Sequence, residues 1–149
     1  MARQVDVGAK PEVARRAVVV GELSLAPATR AAVRRHRVEK GDPIATGELA
    51  GLLAMKRTSE LIPHCHVVPL TASRIDLTVS RRGVRVRSEA ATRGRTGVEM
   101  EALVGATIAL LTVWDMVKYL EKNRRGLYPR TRLGPVRVVA KDKGASDRR

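Results

Sequence analysis

The run Ala102–Trp114, thirteen residues without a charge and closed by Glu101 and Asp115, constrains the fold more than any other stretch. It is too short to span a bilayer, which takes about 20 apolar residues, and it suits a helix buried in a protein core. The pattern around it predicts a long helix over 98–122. A second constraint lies upstream, where Ile75, Leu77 and Val79 alternate with polar residues, Arg81-Arg82-Gly83 turns, and Val84 and Val86 alternate with arginines. Such alternation is that of a hairpin with one face on a core and one polar.

The remaining elements follow by punctuation. Valine-rich residues 16–24 read as a strand, 27–36 as a short helix opened by proline, and 44–61 as a helix capped by Asp42 before Pro43. A last strand is predicted over 135–141, and the small, charged tail 143–149 is expected to fray or to be ordered only by ligand. The order β, α, α, β, β, α, β, with the first two helices forming one crossover, predicts an α+β fold. Its sheet should be the antiparallel split βαβ sheet of ferredoxin-like domains, with the helices on one face.

With 149 residues the chain is expected to form one domain, 1–149, that buries a core without disulfides. The single cysteine, Cys65, fits a reducing compartment, and the first ten residues show no apolar signal segment. A soluble, cytoplasmic protein without membrane contact is expected. A net charge of +14, from 29 basic and 15 acidic residues, reads first as a generally solvated basic surface and second as a site for polyanionic partners. Nucleic acid is disfavoured among them, because the arginine pairs are scattered and Trp114, Tyr119 and Tyr128 are the only aromatics available for stacking.

Charge set inside apolar sequence is more informative than charge on solvated faces. Asp115 and Lys118, three apart, share a helix face beside Trp114 and Met116; they are either a surface ion pair or a functional couple. Glu101 lies on nearly the same face, but fourteen residues of helix separate it from Asp115 by about 21 Å. Either the helix begins later, or these acids serve sites assembled from two subunits; the second reading is preferred and predicts an obligate oligomer. His64-Cys65-His66 sits on an extended segment whose spacing converges poorly on one metal ion, so the readings are a histidine used for hydrogen bonding or proton transfer, then a plain core-edge segment, with zinc last. Lys40-Gly41-Asp42 reads by itself as a solvated turn before a helix. There is no phosphate-cradling P-loop, GxGxxG or GxSxG.

Taken together, VDVGAK at 5–10, KGD at 40–42, KRTSELIP and CH within 56–66, TGVEMEAL at 96–103 and Asp-Met-Val-Lys at 115–118 closely resemble the cyclic pyranopterin monophosphate synthase family. This family acts in molybdenum cofactor biosynthesis, and the resemblance spans 5–141. It implies a ferredoxin-like fold and a homohexamer, a trimer of dimers with sites between subunits. It also implies conversion of a 3',8-cyclised dihydro-GTP to cyclic pyranopterin monophosphate with release of pyrophosphate. No resident cofactor is implied; magnesium can accompany the triphosphate, and the upstream radical enzyme is a possible transient partner.

Carried over residue by residue, the resemblance makes Asp115 the active-site acid and Lys118 and Lys40 the essential lysines. It assigns His64, Cys65, His66, Met100 and Glu101 to substrate-binding strings and puts Glu99, Arg15 and Lys10 near the site. Lys40, Arg15 and Lys10 would then neutralise triphosphate charge. Lys118 held by Asp115 would serve as acid/base couple, and Glu101 and His66 would hydrogen-bond the purine-derived ring. The chain departs from the family's usual strings at His64, Val67 and Val68, at Gly8, and in the tail after Lys141. Two rivals remain: an RNA-binding module using the sheet, which calls for aromatics on the strands, and a degenerate paralogue kept as a structural partner.

Overall fold

The computed structural model describes residues 1–144. Chain order is β1 (Val13–Ser24), α1 (Pro27–Arg34), α2 (Pro43–Met55), α3 (Thr58–Leu61), β2 (Ala72–Val79), β3 (Gly83–Gly94), α4 (Glu99–Glu121), β4 (Arg132–Leu133) and β5 (Arg137–Lys143). Every pairing is antiparallel, in the order β2-β3-β1, with β4 and β5 both on the remaining edge of β1. That is the strand order expected of a split βαβ sheet.

Alternation decides which face of the sheet is covered. Ala17, Val19 and Leu23 of β1, Ile75 and Leu77 of β2, and Val84, Val86 and Ala90 of β3 enter one core with Ala102, Ala106, Ala109, Leu110, Val113 and Val117 of α4. The opposite face carries Arg16, Arg74, Arg85 and Arg87, each ion-paired to Glu22, Asp76, Glu89 or Asp142. α4 is long and apolar enough to cross a membrane by length and composition, but half of its most apolar stretch is buried inside the fold. Here it is the core helix.

α2 lies against α4 through small residues. A Cβ on Gly51 would come 2.8 Å from the Gly105 carbonyl oxygen and 3.0 Å from the Ala109 Cβ, so only glycine permits this approach. Asp42 caps α2 as predicted, its carboxylate accepting the N–H groups of Ile44 at 2.9 Å and Ala45 at 3.2 Å. The helix expected over 44–61 is instead two. α2 stops at Met55, and a short α3 restarts at Thr58, whose hydroxyl donates to the Met55 carbonyl at 2.9 Å. The chain is extended at Ile62, as a residue before proline prefers.

β3 runs to Gly94, beyond the alternation read at 84–87, because its inward residues there are Ser88, Ala90 and Thr92, which are buried yet small or polar. β1 is longer for the same reason: Val13–Arg15 pair with Thr92–Gly94. The tail expected to start at 143 is ordered at Lys143, which pairs with Arg15, while the rest of that expectation, 145–149, lies outside the described residues.

Candidate active site

α4 carries two clusters, one at each end. At the C-terminal end the Asp115 carboxylate takes a lysine on each oxygen. Lys118 Nζ stands 2.7 Å from Oδ1 and Lys40 Nζ 2.9 Å from Oδ2. Lys40 also donates to the main-chain oxygen of Asp115 at 3.1 Å. Lys118 first, then Lys40, holds the Asp115 carboxyl below its ordinary range, and Asp115 pushes the Lys118 ammonium above its own. All three side chains are about half exposed, so the centre is open to a ligand. Tyr128, from the loop after α4, packs edge-on to Trp114 at 5.8 Å.

At the N-terminal end a cleft of about 160 Å³ lies between the 64–68 segment and the first turn of α4. His64, Cys65, His66, Glu99, Met100 and Glu101 line it with Val68, Thr96 and Gly97. Glu101 is only 4% exposed, and burial, opposed in part by its backbone N–H and helped by Glu99, pushes its carboxyl up. The same burial, with Glu101 beside it, raises the Cys65 thiol. Glu99 goes the other way: burial would raise it, but Lys141, its backbone N–H and Arg15 outweigh that and lower it. Two carboxyls two residues apart are thus pushed in opposite directions, which separates a proton donor from an anion. His66 Nε2 is 2.7 Å from the Val5 carbonyl, which can only accept, so this nitrogen carries a proton.

The structure therefore brings ten of the eleven sequence-derived residues to α4, but in two groups. Arg15 joins the second group through its field on Glu99, while its guanidinium donates to the carbonyls of Gly94 at 3.1 Å and Arg95 at 3.2 Å. Lys10 is the exception: it lies in an exposed turn, and its side chain has no hydrogen bond or ion pair among the described residues. Because α4 runs unbroken from Glu99 to Glu121, a later helix start does not reconcile Glu101 with Asp115. Sequence reasoning missed Lys141, which ion-pairs with Glu99 from β5, and Gln4, whose amide donates to the Cys65 carbonyl at 2.6 Å. Both contacts join distant segments and leave no local spacing to read.

Among the described residues no three His, Cys, Asp or Glu side chains are grouped to hold a metal ion. Larger clefts, of about 630 Å³ at the Arg81-Arg82 turn and about 490 Å³ on the open sheet face, contain none of the sequence-derived residues. No aromatic lies on a strand: Trp114 and Tyr119 are on α4, and Tyr128 is in the following loop. Among the described residues no strand offers the base-stacking platform required by the RNA-binding rival.

An antiparallel α+β sheet whose longest helix presents a lysine–aspartate–lysine centre and a buried carboxyl is equipped to bind an anion and move protons. The comparisons place it further. Residues 4–144 match the MoaC family, and the chain belongs to that family. It is 47% identical over 145 residues to a probable cyclic pyranopterin monophosphate synthase of Archaeoglobus fulgidus, covering 97% of this chain and 93% of the relative. Proteins of the same description from Methanoregula boonei and Pyrococcus abyssi are 48% and 46% identical, covering 96% and 95% of this chain and 92% and 89% of theirs.

Proposed function

We propose that this chain is a cyclic pyranopterin monophosphate synthase. It converts 3',8-cyclised dihydro-GTP to cyclic pyranopterin monophosphate and pyrophosphate in the cytoplasmic synthesis of molybdenum cofactor. The observation that carries the reading is Asp115 held between Lys40 and Lys118 in a chain of this family. Lys118, kept protonated by Asp115, acts as acid and, once its proton is given up, as base during ring opening and reclosure. Lys40 and Arg15 balance the charge that develops as pyrophosphate leaves, and Lys10 joins them when substrate is bound. Glu101, Cys65 and the histidines 64 and 66 hold the purine-derived ring in the second cleft, with Met100 as an apolar wall and Glu99 beside it. Magnesium enters as a companion of the triphosphate, and no resident cofactor is needed.

The assembly is a homohexamer, a trimer of dimers, with sites between subunits. Three observations support this. The clusters stand about 21 Å apart on one straight helix, and the second cleft is smaller than the roughly 300 Å³ that ligand sites usually start from. Leu49 and Leu53 of α2 and Leu111 of α4 are also left exposed, as a subunit interface would require. The radical enzyme that makes the substrate docks transiently for hand-over. The test is incubation of the purified protein with the cyclised nucleotide, following pyrophosphate and the oxidised, fluorescent pterin. Appearance of both in equal amounts supports the reading, and substrate left intact refutes it.

A further inference from the structure

Tyr119 stands one turn beyond Asp115 on α4, and its hydroxyl oxygen accepts the backbone N–H of Glu39 at 2.8 Å. Glu39 immediately precedes Lys40, whose ammonium returns to α4 at Asp115. The 36–42 loop is therefore fastened to one helix face twice, through main chain at Tyr119 and through a side chain at Asp115. Its other ties are Val38, buried in the core, and bonds to neighbouring chain, among them the Asp42 cap of α2; none of these reaches α4 by a hydrogen bond at Lys40 or Glu39. His36 has φ 52° and Gly41 φ 100°, so the loop bends through left-handed backbone at both ends. Of its residues 36–42 only Val38 is buried. A lysine on a flexible four-carbon stem, carried by an exposed loop without the Tyr119 anchor, would sample many positions away from Asp115.

We propose that Tyr119 is a positioning residue for the acid/base centre: its hydroxyl fixes the Lys40 loop on α4 so that the Lys40 ammonium meets Asp115. This rests on the reading that Lys40, Asp115 and Lys118 carry out the chemistry. Tyr119 touches none of the reacting atoms and acts through Lys40.

Tyr119→Phe keeps the ring and removes only the oxygen that holds Glu39. With the cyclised nucleotide its kcat should fall roughly 10- to 100-fold while KM changes little, as expected when a catalytic group is misplaced and substrate binding is kept. The acidic limb of its kcat/KM profile should move to higher pH, since Asp115 loses part of the support Lys40 gives it. The sharper readout is a double variant. In a Lys40→Ala background, Tyr119→Phe should slow the residual single-turnover rate no further, because the two residues act in one chain. A Tyr119→Phe enzyme with wild-type kcat and acidic limb, or additive losses in the double variant, overturns the proposal. If Lys40→Ala itself turns over at the wild-type rate, the reading of the centre falls and this inference with it. If Lys40→Ala is impaired and Tyr119→Phe is not, positioning alone is refuted. Should Tyr119→Phe lower the thermal midpoint, the Lys40→Ala comparison at a temperature where both variants are folded still decides.

Discussion

Lys40 Nζ meets Asp115 Oδ2 at 2.9 Å across 75 residues of sequence, joining the turn before α2 to the far end of α4. With Lys118 on the other oxygen, one carboxylate organises two cations at the surface of the helix. Exposed ion pairs add little to stability, so the role proposed for this arrangement is chemical and not structural.

Lys40→Ala, Asp115→Ala and Lys118→Ala should each lower pterin formation by roughly 10²- to 10⁴-fold, the range of a lost acid/base group. Circular dichroism and the oligomer's mass should not change, since none of the three side chains is buried. Near-wild-type turnover in all three would remove the site assignment.

A carboxyl titration reads the electrostatics directly. Followed by NMR, Asp115 should titrate below the ordinary aspartate range, and in Lys118→Met it should rise toward it, because the largest stabilising partner is gone. An unshifted Asp115 in Lys118→Met would contradict the pairing.

Glu101 makes the opposite prediction for stability. Its folded pKa lies above its unfolded one, so folding favours the protonated form. That contribution is present below the ordinary glutamate range and is lost as pH rises through the raised value. Glu101→Gln removes this loss, so its thermal midpoint should exceed wild type by roughly 2–6 °C near pH 8. The gap should close near pH 4, and turnover should fall throughout. A midpoint below wild type at alkaline pH would show that the carboxylate is stabilised in the fold.

Gly51→Ala tests the helix contact. In an exposed helix this change stabilises by up to about 1 kcal/mol. Here the new methyl meets the Gly105 carbonyl oxygen at 2.8 Å, so the sign should invert, to a loss of roughly 1–3 kcal/mol in denaturant unfolding. Unchanged or higher stability would mean that α2 moves away freely.

Complementation tests where the half-sites meet. Glu101→Gln and Lys118→Ala disable opposite ends of α4, and each should be inactive alone. Co-assembled in the proposed hexamer, which would weigh about 98 kDa as six copies of the 16.3 kDa chain, they should regain part of wild-type turnover. Every contact between the two variants then makes one intact and one doubly defective site. Mixed hexamers without recovery would put each site inside one subunit.

Much of this is legible in the sequence. Asp115 and Lys118 declare themselves by helical spacing and Asp42 by its place before Pro43, and the fourteen-residue gap from Glu101 left either a later helix start or, as preferred, a site shared between subunits. Other parts were hidden for physical reasons. Ser88 and Thr92 are inward-facing but polar, so the second half of β3 does not alternate as a strand. The Thr58 hydroxyl bonds back to the Met55 carbonyl across a break at Lys56–Arg57, inside a sequence that is otherwise helical in composition. The Lys141–Glu99 pair and the Tyr119 hydrogen bond depend on chain crossings that no local pattern encodes.

The most direct test of the account is single turnover with enzyme in excess over the 3',8-cyclised dihydro-GTP, recording pyrophosphate and oxidised pterin in wild type and Lys118→Ala. The account predicts that wild type forms both products together and that Lys118→Ala binds the nucleotide but forms neither at a comparable rate. Pterin and pyrophosphate forming equally fast without Lys118, or no turnover by wild type, would contradict it.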